Sequence, residues 1–265
     1  MNSSNPIKKI KNQVRKFSWI MNNYTKIQPG IQFLPPVFHG PIAYQADGLM
    51  TSNNCDFIQE PRFKAAYAAA AATNPWEGFD MPWRVYIVCW FANKVKDLPG
   101  QYVECGVNTG AYARAIMEYT NFKTLGKTFY LLDTYQGLVA QQITDAEYKA
   151  GIGAYLHNYK DVYQQVLETF RDFPAKVIKG MVPGTLSQCD AEQICYLSID
   201  MNVKEPEIAA AEYFWDRIVK GGVIILDDYG FPKHIEQKLA FDQFAREKGV
   251  EILSLPTGQA IIFKP

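Results

Sequence analysis

The chain has 265 residues and a mass of 30.1 kDa, 48% of them hydrophobic and 20% charged. That is the make-up of an ordinary globular protein, and it excludes a collagen, a disordered tract or a coiled coil. Lys plus Arg and Asp plus Glu both number 27, yet this balance conceals a split. Residues 1–26 carry Lys8, Lys9, Lys11, Arg15, Lys16 and Lys26 without an acid, which leaves residues 27–265 with 21 bases against 27 acids. A body that acidic is a poor match for a phosphate backbone, so a nucleic-acid partner is not expected.

No stretch of about 18 consecutive apolar residues is available to cross a bilayer. The N-terminus lacks the apolar core and small-residue cleavage site of a signal peptide. The five cysteines (Cys55, Cys89, Cys105, Cys189 and Cys195) are odd in number and show no CxxC spacing. They read as reduced, mostly buried thiols, and the expectation is a cytoplasmic protein.

In chain order, residues 1–26 form a basic arm. Ile7, Ile10, Val14, Phe17 and Met21 recur at helical spacing between the lysines. Such a helix is solvated or contacts another subunit; the sharper reading is contact with a membrane surface. Residues 27–100 read as a loop and helical cap. A proline-rich loop runs from Gln28 to Pro61, followed by an Ala-rich helix over Arg62–Ala72 and an amphipathic one over Trp83–Val95.

From Gln101, short apolar runs alternate with helical patterns, the signature of a mostly parallel sheet with helical crossovers. The runs are Tyr102–Val107, Phe129–Asp133, Lys176–Lys179, Ile194–Asp200, Val223–Asp227, Val250–Leu255 and Gln259–Phe263. The last two are too close for a crossover and should pair as an antiparallel hairpin. Glu205–Val219 and Lys233–Lys248 show helical spacing, each ended by a glycine, Gly221 or Gly249. Residues 136–160 read as an insertion over the strand tips. The expected fold is therefore α/β, with a seven-stranded sheet, one strand reversed, in a domain spanning residues 101–265.

Ligands of an open parallel sheet bind outside the carboxyl ends of its strands. After the first run comes Glu104-Cys-Gly106-Val-Asn108-Thr109-Gly110, whose glycines permit a tight turn and close approach to the backbone. Asn108 takes the second glycine position of G-x-G-x-x-G, so no pyrophosphate cradle is evident. An NAD or nucleotide-sugar enzyme is disfavoured on that ground. Asp133, followed by Thr134, ends the second run, where an acid binds ribose hydroxyls. Glycine turn and acid together point to an adenosine-containing cofactor, and without the cradle S-adenosylmethionine is the better candidate.

The fourth run ends at Asp200 and the fifth at Asp227-Asp228. Three carboxylates at neighbouring strand ends repel one another unless a cation is present. A hard divalent ion, most simply Mg²⁺, resolves the conflict; otherwise Asp227 and Asp228 only start a turn. Of the histidines His39, His157 and His234, only His234 is readily brought to the cluster, as a catalytic or a capping residue. Tyr148, Tyr155, Tyr159, Trp76 and Trp83 could stack on an acceptor, though aromatics at such spacings are more often core.

Five segments in order resemble the macrocin O-methyltransferase (TylF-like) family over about residues 80–265. They are Val103-Glu-Cys-Gly-Val107, Leu132-Asp-Thr-Tyr-Gln-Gly-Leu138, Lys179-Gly-Met-Val-Pro-Gly-Thr-Leu186, Leu197-Ser-Ile-Asp200 and Gly221-Gly-Val-Ile-Ile-Leu-Asp-Asp-Tyr-Gly230. The resemblance implies a class I (Rossmann-like) S-adenosylmethionine-dependent methyltransferase with helices on both faces of the sheet. It implies methylation of a hydroxyl on a sugar or small natural product, with Mg²⁺. Residue by residue, it puts Glu104, Gly106 and Gly110, with Asn108 and Thr109 between them, at the methionine-end loop. Asp133, with Thr134, falls at the ribose, Gly180 and Met181 in the adenine-side turn, and Asp200, Asp227 and Asp228 at the metal.

One departure matters. The family usually reads Asp-Gly-Asp at the fourth strand, the second acid being the proposed general base, and here Asp200-Met201-Asn202 stands instead. An amide cannot take a proton, so the catalytic expectation falls on Asp200 and on His234 as replacement base; an acid, Glu205, is retained just downstream. The expected partner is a small hydroxyl-bearing acceptor, with a homodimer as the default assembly. Asn202 also favours an alternative, a non-catalytic cofactor-binding or assembly protein on a methyltransferase scaffold.

Overall fold

The computed structural model describes residues 42–265. The basic arm of residues 1–26, His39 and the first part of the proline-rich loop lie outside the described residues. The rest of that loop is not wholly irregular. Tyr44–Ala46 (β1) and Leu49–Thr51 (β2) pair as a short antiparallel hairpin.

Helices Pro61–Ala71 (α1) and Pro82–Val95 (α2) come next, each with proline in its first turn, where a missing N–H costs nothing. The α/β body comes after them: Gln101–Cys105 (β3), Ala111–Thr120 (α3), Phe129–Asp133 (β4), Asp145–Ala150 (α4), Tyr163–Phe170 (α5), Ala175–Lys179 (β5), Ile194–Ile199 (β6), Lys204–Trp215 (α6), Ile218–Leu226 (β7), Ile235–Lys248 (α7), Ile252–Ser254 (β8) and Ala260–Phe263 (β9). The main sheet has the order β5-β4-β3-β6-β7-β9-β8. All pairs from β5 to β7 are parallel, and β9 alone is reversed between β7 and β8. Seven strands with one reversed is the arrangement that the apolar runs predict.

The runs are continuous rather than alternating because both faces of the sheet are covered. Tyr102, Leu131, Tyr196 and Ile225 point into one core with α1, α2 and α3; Val103, Leu132, Leu197 and Ile224 point into the other with α6 and α7. Each fully buried side chain of this kind contributes roughly 1.5–3 kcal/mol. Residues 43–265 form one compact unit. No helix among the described residues is long and apolar enough to cross a membrane.

One boundary departs from the sequence reading. The expected helix Glu205–Val219 stops at Trp215, and β7 begins at Ile218, so Gly221 is not a helix stop. It lies inside the strand with φ of +79°, at a shift in register where Ile194 pairs with Ile218 but Tyr196 with Val223. A glycine pair serves a bulge as well as a helix end, because both need left-handed backbone. Gly249 does close α7, in the left-handed conformation.

Residues 136–160 form an ordered insertion containing α4. A capping box holds α4, with Thr144 and Glu147 bonded to each other's backbone N–H. Glu147 is buried and also accepts from the Lys204 backbone N–H at 2.7 Å, while Gln142 donates to the Val182 carbonyl at 2.6 Å. The insertion is thus tied both to the turn after β5 and to the start of α6.

Candidate active site at the carboxyl edge of the sheet

The parallel ladder continues just past the strand tips and fixes their order. The Gly180 N–H donates to the Asp133 carbonyl, Gly106 N–H to Leu132, Asp200 N–H to Cys105 and Asp227 N–H to Ile199, at 2.8–3.1 Å. Gly180, Asp133, Gly106, Asp200 and Asp227 therefore stand side by side along one edge. All come from different strands, and all were expected to serve the site.

At the centre of that edge, Gly106 has φ of +88°, and a Cβ there would overlap the Asp200 carbonyl. Only glycine lets β3 and β6 approach this closely. Just before it, Glu104 is buried, and its Oε2 has no partner among the described residues. Burial, then the charges of Asp200 and Asp133, pushes its carboxyl well above the usual range.

Asp133 accepts three backbone N–H groups: Val107 at 2.6 Å and Asn108 at 2.8 Å on Oδ2, and Tyr135 at 2.6 Å on Oδ1. It clasps the glycine loop; the Thr134 hydroxyl also lies 3.2 Å from Oδ1, but its one proton is better placed on the Gly137 carbonyl, so about one of roughly four acceptor positions is left. Thr134 and Thr109 are engaged internally. The Thr134 hydroxyl donates to the Gly137 carbonyl at 2.7 Å, and the Thr109 hydroxyl lies 2.9 Å from that of Thr73 in a buried pair. Met181 is exposed beside Gly180.

The second half of the edge is acidic. One oxygen each of Asp200, Asp227 and Asp228 lies within 4.8 Å of the others, so the three carboxylates meet as expected. Burial and then the charge of Asp228 push the Asp200 carboxyl up to about 7; burial pushes Asp228 up to about 6. Carboxyls this close titrate as a pair. Asn202, at φ of +60°, turns its amide back to donate to Asp200 Oδ1 at 3.3 Å. His234 reaches the cluster too: its Nδ1 is 3.6 Å from Asp228 Oδ2, and neither atom has another partner among the described residues. Burial lowers the His234 pKa, so the ring is neutral near pH 7.

A profile of the macrocin O-methyltransferase (TylF) family matches residues 87–254, which span the whole of this edge. The chain belongs to that family. Comparison with curated proteins returns no match. Among solved structures, the O-methyltransferase NovP is similar at 19% identity, over 68% of this chain and 79% of NovP, with a TM-score of 0.57. The calicheamicin methyltransferase CalS11 shares 16% identity over 77% of this chain and 93% of its own, with a TM-score of 0.52. A putative caffeoyl-CoA O-methyltransferase from Staphylococcus aureus shares 10% over 79% and 95%, with a TM-score of 0.51. At these identities the likeness is one of fold, the class I methyltransferase fold, and the family match makes the chain an O-methyltransferase.

In this family member four further groups stand in the site that sequence reasoning missed. Arg84, from the first turn of α2, pairs with Asp227 Oδ2, lies 3.8 Å from Asp228 Oδ1 and reaches Asp47 of the β1–β2 turn at 3.3 Å. Tyr112 and Gln259 donate to Asp227 Oδ1 at 2.8 and 3.0 Å. Glu207, buried in α6, accepts the Met201 N–H at 2.9 Å and steadies the turn that carries Asn202. The one signal for Arg84 is that it is the only charged residue from Pro82 to Asn93.

These groups bear on the divalent ion that the resemblance implies. The free acceptor of Asp228 and the half-buried Asp200 suit a hard cation. Asp227 does not, since its oxygens are taken by one guanidinium, one hydroxyl and one amide. The full three-carboxylate donor set does not fit an ion in this arrangement. Of the candidate stacking aromatics, Trp83 belongs to a core cluster with Phe57 and Tyr86, whereas Trp76 and Tyr148 are exposed.

Proposed function

We propose that this family member uses S-adenosylmethionine to methylate a hydroxyl of a sugar or other small natural product, with Asp200 as the base. The observation that carries this reading is the approach of Asp200 and Asp228, whose oxygens come within 4.8 Å of each other. Asp228 is buried and Asp200 half-buried, their carboxyls are held toward neutrality by burial and, for Asp200, by the charge of Asp228, and they stand next to the glycine turn that follows Glu104. A base works best when its pKa lies near the operating pH.

The donor set on the other half of the edge fits the cofactor. The unpartnered, buried Glu104 carboxylate suits the cationic methionine end, the missing Cβ of Gly106 leaves room for close approach, and Asp133 keeps one acceptor position for a ribose hydroxyl. Gly180 and Met181 flank Asp133 on the adenine side. When bound, the sulfonium supplies a methyl carbon that is already electrophilic.

The remaining work falls to the chain. Its residues hold the acceptor oxygen in line, which is worth up to ~7–11 kcal/mol in the best cases. Asp200 takes the hydroxyl proton and Asp228 shares it. Asn202 does not move a proton; it fixes the Asp200 carboxylate through its amide. His234 backs Asp228 and takes no part in the transfer. The insertion anchored by Glu147 forms one wall of the acceptor pocket.

Calorimetric titration with S-adenosylmethionine, followed by methyl transfer to a panel of sugars and vicinal diols, tests the reading. No binding at millimolar cofactor would overturn it. Asn202 in place of the usual acid favours a second reading, a cofactor-binding protein without turnover. Methyl transfer to any member of the panel rules that out.

A further inference from the structure

The charges along the acidic half of the edge do not balance in the way that an ion-dependent site requires. Arg84 enters between Asp47, Asp227 and Asp228 from a helix whose only other charged residue is Lys94 in its last turn, and its side chain is only 13% exposed. The Phe231 ring lies 5.2 Å from the guanidinium carbon. Arginine in such a fork has a fixed, planar geometry and cannot shed its charge. Asp227 answers it with one oxygen and uses the other for Tyr112 and Gln259. A carboxylate held by a cation and two neutral donors has no need of a second cation, and a dication placed there would sit against the guanidinium.

What is left over also points away from a full ion site. Arg84 Nε and Asp228 Oδ2 are buried and without partners among the described residues, and Asp228 is only 8% exposed. His234 Nδ1, 3.6 Å from that oxygen, is unpartnered as well, so Asp228 faces a guanidinium on one oxygen and an imidazole on the other. A hard divalent ion would have used the acceptor and repelled the donor.

We propose that Arg84 is the resident cation of this site, standing in place of a divalent ion, so that Asp227 is its partner and not a metal ligand. This deepens the methyltransferase reading and rests on it for the site, but the cation itself can be tested without turnover.

The test is Mn²⁺ binding to the full chain, followed by electron paramagnetic resonance and by calorimetry with Mg²⁺. Wild type should bind more weakly than about 1 mM, beyond the weak end of dedicated hard-cation sites. Arg84→Met, which keeps length and removes charge, should bind Mn²⁺ at least about tenfold more tightly, because three clustered carboxylates, two of them buried, then lack a cation. Adding Asp227→Asn should abolish that gain. Tight binding by wild type, or no gain in Arg84→Met, overturns the proposal.

If Arg84→Met does not fold, Arg84→Lys replaces the fork by a point charge that cannot bridge three carboxylates. The same strengthening, smaller in size, is expected of it, and its absence is equally fatal. Cofactor titration of the same samples keeps the two ideas apart. Loss of S-adenosylmethionine binding would sink the methyltransferase reading and leave the Mn²⁺ result standing.

Discussion

Asn202 donates its side-chain amide to Asp200 Oδ1 at 3.3 Å, from a left-handed turn that Glu207 steadies through the Met201 N–H. The family's second acid has become a donor that holds the first. Substitution Asn202→Asp restores the acid but places a like charge beside Asp200, which raises the pKa of a carboxyl. The pH at which methyl transfer reaches half its plateau should move up by about one unit or more. An unchanged or lowered midpoint would show that Asn202 does not act through Asp200.

Wild-type activity should itself rise with pH. Asp200 is useful as a base only after the pair has lost its shared proton, and the two carboxyls are raised to about 7 and about 6. Burial lowers the His234 pKa, which moves its own titration toward more acid pH and away from this limb. The rate under saturating acceptor should therefore climb across roughly pH 6 to 7.5 and then level. A profile flat from pH 5 upward would remove Asp200 from the base role.

The same raised carboxyl predicts a conflict between stability and activity. In the unfolded chain Asp200 titrates near 3.9; in the folded chain its proton is held up to about 7. Between those values the folded state binds more protons than the unfolded state, so stability falls as pH rises through this window and does not recover above it. Asp200→Asn carries no charge to lose. Its Tm should exceed that of wild type at about pH 8 and approach it near pH 5, while methyl transfer drops by about a hundredfold or more. A lower Tm for this variant at both pH values would contradict the assignment.

The sheet was legible because strands buried on both faces must be apolar end to end. Phe129–Asp133 matches the observed strand at both ends, and the short link before Ala260 correctly forces the final reversal. The acidic tips Asp133, Asp200 and Asp227 were legible for the same reason, since each is the first polar residue after a buried run. The start of β7 was not, because the Gly221-Gly222 bulge reads as a helix end. Arg84, Tyr112 and Gln259 were hidden for a different reason. Their common partner, Asp227, is distant in sequence, and a single basic residue on an amphipathic helix looks solvated until the fold turns it inward.

Gly106 gives the sharpest structural prediction. A methyl group there would overlap the Asp200 carbonyl, and φ of +88° is already strained for any residue with a Cβ. Gly106→Ala should cost on the order of 3 kcal/mol or more. Urea denaturation should show a fall in midpoint with little change in slope. Gly126, also at positive φ but with no atom within 4 Å of a Cβ, is the control, and Gly126→Ala should lose only the backbone part of that cost, about 1 kcal/mol. Equal losses at the two positions would mean that the close approach of β3 to β6 contributes nothing.

Glu104 separates the cofactor half of the edge from the acidic half. It is buried on β3 with one unpartnered oxygen, and burial pushes its carboxyl well above the usual range. Such a group destabilises the empty protein and is relieved only by a cation or a donor. Glu104→Gln keeps its shape and removes its charge. A hydrogen bond to a charged partner contributes about 1.5–3 kcal/mol, so S-adenosylmethionine should bind roughly 10- to 100-fold more weakly by calorimetry. The cofactor-free Tm should not fall, since the variant no longer buries an uncompensated carboxylate. Undiminished affinity, or a Tm that drops in step with affinity, would mean that Glu104 holds the fold and not the cofactor.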